Sequence, residues 1–451
     1  MTVPGPSARG WIGARTGHRG AGSGRSGAAH EETEAPRTAL SRRSVSFGLA
    51  AFGLASCGGG TAGVPVGRAA LAASADEPPK PRPNPGYHAW VQGLRARAAA
   101  KGISKATLDA AFRGAGYLAQ VIKNDRAQFQ ARRTLEDYIA IAASDERLRI
   151  GAAKLKKHRR LLDRIAARYG VEAEVLAAIW GVESGFGARR GATPVISALS
   201  TLGYESRRAA FFESQLMAAL AIIQAGDIAP GDMTGSWAGA MGHTQFIPTT
   251  YLAHAVDFTG DGRRDIWSDD PADALASAAN YLAQSGWTKG RLWGLEVRLP
   301  GASDDLVTRG VTEWRARGVT RADGGKLPDH GRATLILPNG AGGPAFLLFA
   351  NYRVLRTYND SMKYALAVGH LSDRLAGGSA LVGRFGNDAQ GLSFKERKEL
   401  QERLTRAGFD TQGADGVIGD KTTRAIRAYE TARGLPETGL ASKALLVHLR
   451  G

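Results

Sequence analysis

A glutamate at the end of an apolar run is the residue of this 451-residue chain best placed to do chemistry. It lies in Ile179-Trp180-Gly181-Val182-Glu183-Ser184-Gly185-Phe186-Gly187. Upstream, Val175, Leu176, Ile179 and Val182 recur at helical spacing, so an amphipathic helix is expected from about Val171 to the glycines. Glu183 falls on the edge of that stripe and in the last turn, where the helix dipole disfavours negative charge. Burial and dipole both push a carboxyl pKa upward, and a carboxyl that stays protonated near neutral pH can act as an acid. The spacing alone equally allows a solvated glutamate at a frayed helix end. A second stretch, Ser236-Trp237-Ala238-Gly239-Ala240-Met241-Gly242-His243-Thr244-Gln245-Phe246-Ile247-Pro248-Thr249-Thr250-Tyr251, is just as unusual. Its small residues let backbone approach a ligand closely, while Gln245 and Tyr251 offer polar groups.

A third candidate is acidic. Asp257-Phe258-Thr259-Gly260-Asp261-Gly262-Arg263-Arg264-Asp265 has the outline of an EF-hand loop, with oxygen ligands at positions 1, 3 and 5 and glycine at 6. Thr259 replaces an acid at position 3, and Ser268 stands where a bidentate glutamate is expected. The alternative is a metal-free Asx-type turn capping the next helix. Two adjacent arginines, Arg263 and Arg264, would weaken any cation site.

Several elements must position these groups. The apolar fraction of 43% supports a real core, and the length allows more than one domain. A net charge of +17 asks for an anionic partner. Lys and Arg are spread along the chain, without zinc-finger cysteines or an aromatic-basic RNA signature, so nucleic acid is not expected. An anionic polymer such as a bacterial cell wall suits the same charge. The single cysteine excludes an internal disulfide framework. Residues 1–57 have the features of an export signal: Ser41-Arg42-Arg43-Ser44-Val45-Ser46-Phe47 is twin-arginine-like, a short apolar run follows, and Leu54-Ala55-Ser56-Cys57 is similar to a bacterial lipobox. Cys57 is then either a lipidation site or a bystander in an ordinary signal peptide. A Pro/Gly/Ala linker is expected over 58–87, mostly helix over 88–377, and a loose connection over 378–391. Expected helices include Trp90–Lys101, Lys105–Phe112, Ala153–Tyr169 and Ala209–Ala225, with a small sheet within Arg332–Val354. Residues 392–451 form a compact unit opened by the capping box Ser393-Phe394-Lys395-Glu396.

Glu183-Ser184 together with the 236–251 segment resembles the lysozyme-like lytic transglycosylases, specifically the membrane-bound lytic transglycosylase B family. Further matching motifs are Trp90, Gly102-Ile103-Ser104, Tyr138 before Gly151, Val195 to Leu202, Asn351-Tyr352-Arg353-Val354 and Tyr358-Asn359-Asp360-Ser361. The order Leu400-Gln401, Gly408, Asp415-Gly416, Gly419, Thr423, Tyr429 and Gly434-Leu435 resembles a three-helix peptidoglycan-binding domain. The resemblance implies a mainly α fold: a lysozyme-like core with a small β-containing portion, followed by the three-helix module. It implies Glu183 as the catalytic residue. Ser184, Ser236, Gln245, Tyr138, Tyr281, Tyr358, Asn359 and Tyr364 become the substrate-binding positions. It also implies an elongated metal loop in which Asp257, Thr259, Asp261, the Arg263 carbonyl and Asp273 would hold a structural calcium.

The implied reaction cuts the MurNAc-β-1,4-GlcNAc bond of peptidoglycan without water, leaves 1,6-anhydromuramyl ends, and requires no cofactor for catalysis. Ordinary glycosidases use two carboxylates, and only Glu183 has motif support here. The alternatives are a hydrolytic muramidase with a second carboxylate and a non-catalytic wall-binding protein. The implied partner is the glycan strand. The implied location is the periplasm, with or without a lipid anchor in the outer membrane.

Overall fold

A computed structural model of the chain describes residues 79–127 and 134–451. The export signal, Cys57 and most of the 58–87 linker lie outside the described residues. The described chain is ordered before the expected linker ends. Asn84 caps a helix, Pro85–Ala100, by accepting from the Tyr87 N–H, and Pro85 occupies the first turn, where its missing N–H costs nothing. Arg82 N–H already donates to the Tyr117 carbonyl at 2.9 Å.

Two helical cores flank the site. One gathers the helices Leu135–Ala142, Asp145–Lys157, Arg159–Tyr169, Ala173–Ser184, Ala272–Gln284, Ala350–Tyr358 and Met362–Leu375. The other gathers Pro85–Ala100, Lys105–Phe112, Ala119–Ala127, Val195–Glu205, Ala209–Ala225 and Pro248–His254. Tyr358 packs against both cores, which places the seam between them.

The single helix expected over Ala153–Tyr169 is two. His158 leaves helical geometry (φ −104°, ψ 19°) and turns its ring edge-on to Trp180, with 5.5 Å between centroids. The helix Ala173–Ser184 is not amphipathic as expected. Every residue except Glu174 is buried, because other helices cover its whole circumference.

The sheet is antiparallel, with strands in the spatial order Thr308–Gly310, Arg332–Ile336, Ala345–Leu348, Gly294–Arg298 and Thr320–Arg321. Leu347 faces Leu335 on one side and Leu295 on the other. Only two of these strands fall in the expected Arg332–Val354 stretch, and the chain is already helical from Ala350. Thr308–Gly310 and Thr320–Arg321 are too short to show a period of two, and Gly294–Arg298 lies outside the expected stretch.

The last residues form three helices, Phe394–Arg406, Asp420–Ala432 and Lys443–Arg450, around Leu400, Leu404, Ile426, Tyr429 and Leu446. Buried Gln401 organises the turn between the first two helices. It accepts from the Gly416 N–H at 2.7 Å and donates to Asp415, Val417 and Thr422 at 3.1 Å. The expected loose connection has no helix or strand, yet it is tied down. Glu296 accepts from the Val382 and Gly383 N–H groups, and Asp388 accepts from the Gln390 and Leu392 N–H groups. Among the described residues, no helix is long and apolar enough to cross a membrane.

Candidate active site

Glu183 ends up buried because its helix is apolar all round and then stops abruptly. Gly185 adopts the left-handed conformation (φ 59°, ψ 45°), and the Gly185 and Phe186 N–H groups bond back to the Gly181 and Trp180 carbonyls. Phe186, itself at φ 59°, folds its ring onto Gly181, where a Cβ would lie 2.6 Å from the ring. The Glu183 side chain is left inside at 2% exposure. Its Oε2 has no hydrogen-bond partner. Burial pushes the carboxyl up to about 8, and Tyr364 tempers the rise. The Tyr364 hydroxyl faces Glu183 closely enough to influence it, yet makes no hydrogen bond of ordinary geometry. Asn359 Oδ1 is a third buried polar atom without a partner. Native proteins rarely leave such atoms unpaired, so the facing pair Glu183 and Tyr364, with Asn359 a few residues before Tyr364 in the chain, marks a site shaped for a polar ligand.

The 236–246 segment is the hub to which the other elements attach. Ser236 closes a turn by accepting from the Ala240 N–H through Oγ, while its own N–H donates to the Ala240 carbonyl. Met241 and Phe246 exchange backbone hydrogen bonds at 2.9 and 3.1 Å. Between them, Gln245 is held at φ 51°, and its Nε2 donates to the Gly242 and Arg190 carbonyls. That strained conformation persists because its surroundings fix it. Tyr358 donates to the Thr244 carbonyl at 2.9 Å, and Tyr281 to the Thr357 carbonyl at 2.9 Å. The rings form a ladder: Tyr364 parallel to Tyr358 at 6.3 Å, Tyr358 to Tyr281 at 5.2 Å, and Tyr281 stacked on His254 at 4.2 Å. Burial raises all three tyrosine hydroxyls, and Glu183 contributes to the rise at Tyr358 and Tyr364. Tyr138 is buried on the helix Leu135–Ala142, near enough to Tyr364 to affect its ionisation.

Two residues expected to offer polar groups to a ligand are turned inward. Ser184 is fully buried, its hydroxyl donating to the His243 carbonyl at 2.6 Å and accepting from the Gly187 N–H. It ties the glutamate helix to the hub. Tyr251 is also fully buried, with its hydroxyl on the Arg264 carbonyl. His243, for which no role is evident from spacing, fastens the hub. Trp180 Nε1–H donates to its Nδ1 at 3.0 Å, so Nε2 carries the proton and donates to the Ser268 carbonyl at 2.7 Å. Burial pushes this imidazole down to about 4, and the Arg190 guanidinium, 3.3 Å from Nε2, also disfavours its charged form. A neutral ring therefore joins the glutamate helix to the acidic loop without placing charge beside Glu183.

In that loop, carboxylate oxygens of Asp257, Asp261 and Asp273 lie within 4.8 Å of one another. This all-oxygen set fits a hard dication. Burial raises the Asp273 carboxyl, and nearby Asp257 adds to the rise while backbone N–H donors oppose it. Backbone N–H groups are already aimed at the loop's carboxylates: Gly260 and Gly262 at Asp257, and Phe258, Thr259 and Asp265 at Asp273. Thr259 Oγ1 donates to Asp257, and Arg263 offers its N–H to Asp261. Arg264 pairs with Asp227 instead of facing the loop's acids.

The raised Glu183 carboxyl has a measurable consequence. Because its folded value, about 8, exceeds its ordinary 4.5, the folded protein keeps a proton that the unfolded chain releases between those pH values. Stability therefore falls as pH rises through that window, and the loss is complete above it. Glu183→Gln cannot ionise, so its stability advantage over wild type should grow from acid to alkaline pH. The gain should reach a few kcal/mol, since each tenfold change in proton affinity corresponds to about 1.4 kcal/mol. Thermal melts on either side of the window check this. A difference independent of pH would mean that Glu183 is not the strained acid.

The same residues fall within regions of similarity to known proteins. Residues 86–373 match the family described as "Transglycosylase SLT domain", and residues 395–449 match "Putative peptidoglycan binding domain". Membrane-bound lytic murein transglycosylase B of Escherichia coli (strain K12) is 36% identical over 220 residues, covering 48% of this chain and 60% of that protein. The chain thus spans less than two thirds of that relative's length. SltB3 from Pseudomonas aeruginosa, solved in complex with NAG-NAM-pentapeptide, is 46% identical with a TM-score of 0.66, covering 81% of this chain and 100% of that one. An Escherichia coli lytic transglycosylase in complex with calcium is 28% identical with a TM-score of 0.55, over 66% of this chain and 96% of that one. The buried glutamate at its glycine-stopped helix end, the hub of small residues and the tyrosine ladder all lie inside the first matched region, and the chain belongs to the SLT transglycosylase family, with a peptidoglycan-binding domain at its C-terminal end.

Proposed function

We propose that the protein is a lytic murein transglycosylase that cleaves the MurNAc-β-1,4-GlcNAc bond with Glu183 as its sole acid and base. The observation that carries this reading is the buried Glu183 carboxyl, whose Oε2 has no partner and which burial pushes up to about 8, so that it is protonated at neutral pH. In the first step Glu183 gives its proton to the glycosidic oxygen, and the C1–O bond breaks. The N-acetyl carbonyl oxygen of the same sugar supports the anomeric carbon as the leaving oxygen departs. In the second, the Glu183 carboxylate takes the proton of the C6 hydroxyl, whose oxygen closes onto C1. The proton returns to Glu183, no water is consumed, and the product is a 1,6-anhydromuramyl end. Acid–base help of this kind is worth about 10²–10⁴ in rate. The intramolecular hydroxyl adds several kcal/mol, on the order of 7 or more in well-aligned cases.

Ser236, Gln245 and Asn359 are the proposed polar contacts to the glycan, with Tyr138, Tyr281, Tyr358 and Tyr364 as its walls. Asn359 Oδ1 and the Tyr364 hydroxyl are unpaired within the protein and suit donors and acceptors of an acetamido sugar. A two-carboxylate hydrolase is less well supported. No acid among the described residues contributes to the rise at Glu183. Among the described residues, half-buried Asp373 is also raised strongly, to about 7, and it accepts from Trp293 Nε1 at 3.0 Å. It lies two and a half turns beyond Tyr364 on one helix, roughly 13 Å along the axis. Paired glycosidase acids stand about 5–9.5 Å apart.

The proposed setting is the periplasm, with the chain either acylated at Cys57 and held at the outer membrane or soluble after cleavage. The C-terminal module is proposed to hold the wall itself. Calcium is proposed as a structural ion in the Asp257–Asp273 loop and takes no part in the chemistry.

Glu183→Gln should lower muropeptide release by about a hundredfold or more while sacculi still pellet the protein. The products of the wild-type enzyme should resist borohydride reduction, since anhydro ends have no aldehyde. Stoichiometric hydride uptake would make the enzyme a muramidase. The rate should fall as pH rises through about 8, because only protonated Glu183 can donate; a flat alkaline profile would assign the acid elsewhere. Millimolar calcium should raise the melting temperature of the wild type, as any ligand bound only by the folded state does, and Asp273→Asn should abolish that rise. Equal shifts in both proteins would remove the ion from this loop.

A further inference from the structure

The C-terminal module carries a buried guanidinium that its own small core does not require. Arg397, on the helix Phe394–Arg406, is 2% exposed. Its Nη2 donates to Glu136 Oε2 at 2.8 Å and to Asp137 Oδ1 at 2.9 Å, both in the first turn of the helix Leu135–Ala142. Its Nη1 donates to Asp388 Oδ2 at 3.2 Å, and its Nε to the Gly416 carbonyl at 2.8 Å. One cation thus meets two carboxylates of the helical core and one of the connecting segment. Asp137 has a second duty, because its other oxygen accepts from the Thr134 N–H while Thr134 Oγ1 caps the Asp137 N–H. The next residue is Tyr138, close enough to Tyr364, the neighbour of Glu183, to affect its ionisation.

We infer that Arg397 is a positioning residue for the active site: by latching onto Glu136 and Asp137, the C-terminal module fixes the first turn of the Leu135–Ala142 helix and, through it, Tyr138. The part played by Tyr138 rests on the lytic reading above. An eight-residue helix is marginal by itself and depends on its cap and on outside partners. A module that served only as a tether would keep its charges at a solvated surface, where ion pairs hold little. Here Arg397 is buried and its carboxylate partners are half-buried, so removing one side of the pair would leave the other charge poorly compensated where water reaches it little. Burial raises the Glu136 carboxyl while Arg397 opposes the rise, as this arrangement requires. The module is therefore a structural part of the groove as well as a wall-binding device.

The test uses the full-length chain with Arg397→Met, Arg397→Lys and, from the opposite side, the double variant Glu136→Gln/Asp137→Asn. Hydrogen exchange of residues 135–142 is followed together with binding and turnover of a soluble murein tetrasaccharide and pelleting on sacculi. Arg397→Met and the double variant should speed exchange in this helix about tenfold. They should raise KM for the tetrasaccharide about fivefold with kcat little changed, a size typical of indirect coupling. Arg397→Lys, which keeps the charge without the fork, should fall between wild type and Arg397→Met. Pelleting should be unchanged. Native exchange in 135–142 and a native KM in the double variant would overturn the proposal. If Arg397→Met unfolds the module, seen as fast exchange throughout 394–450, Glu136→Gln alone decides, since it lies outside the module and leaves the Thr134–Asp137 cap intact: fast exchange in 135–142 supports the latch, and native exchange overturns it. If the wild type binds the tetrasaccharide without cleaving it, the lytic reading fails, while exchange and binding still decide the latch.

Discussion

A carboxylic acid stays neutral inside a protein only if nothing nearby rewards its ionisation. One cation at contact distance typically lowers a carboxyl pKa by about one to three, and several N–H donors lower it further. The surroundings of Glu183 satisfy that constraint by omission. Its helix is apolar on every side, its helix end points the negative pole of the dipole at it, and Tyr364 is the one polar group that tempers the effect of burial. Two arginines that touch the hub and its loop are engaged elsewhere: Arg190 with Asp269 and Arg264 with Asp227. Even His243, which must touch this helix to hold it, does so as a neutral ring.

That constraint separates groups that build the site from groups left for a ligand. Ser184, Tyr251 and the Nε2 of Gln245 have spent their hydrogen bonds on carbonyls of the hub and its neighbours. Glu183, Asn359 and Tyr364 retain buried polar atoms with no partner. The hub can be this dense because its glycines admit backbone where a side chain could not go. Gly242, at φ +69°, lies so close to the Ile266 carbonyl that a Cβ would overlap it. The compact hub thus spends much of its hydrogen-bonding capacity on its own backbone, while its neighbours keep unpaired buried polar atoms.

Much of this was legible in the sequence where the signal is local. The apolar run stopped by Gly185, the Ser393–Glu396 capping box and the helices Lys105–Phe112 and Ala209–Ala225 are written in neighbouring residues, and the structure has them. The sequence could not show that the glutamate helix is enclosed all round, because a continuous apolar run fits both a buried and an amphipathic helix. The break at His158 depends on the Trp180 ring, and the roles of Ser184 and Tyr251 on carbonyls far along the chain. Arg397 looked like any surface arginine on a polar helix, since its partners Glu136 and Asp137 lie some 260 residues away.

The distant braces make sense against the demands of a reaction with one carboxylate. In the proposed chemistry the same oxygen pair must first reach the leaving oxygen and then the C6 hydroxyl, so its position has to serve two geometries. An enzyme with separate acid and base can tune each by itself; this one must fix the sugar relative to a single group, and misplacement of about 1 Å can cost a hundredfold. The glutamate helix is accordingly tied on several sides: to the hub through Ser184, to the acidic loop through Trp180, His243 and Ser268, and to the packed helix Met362–Leu375 through the Tyr364 side. On the far wall, the Leu135–Ala142 helix is only eight residues long, and its capping box and first-turn acids are the local support it has. A charge cluster anchored in a separate, well-packed module provides what the local sequence lacks, and the module's burial of Arg397 follows from that need.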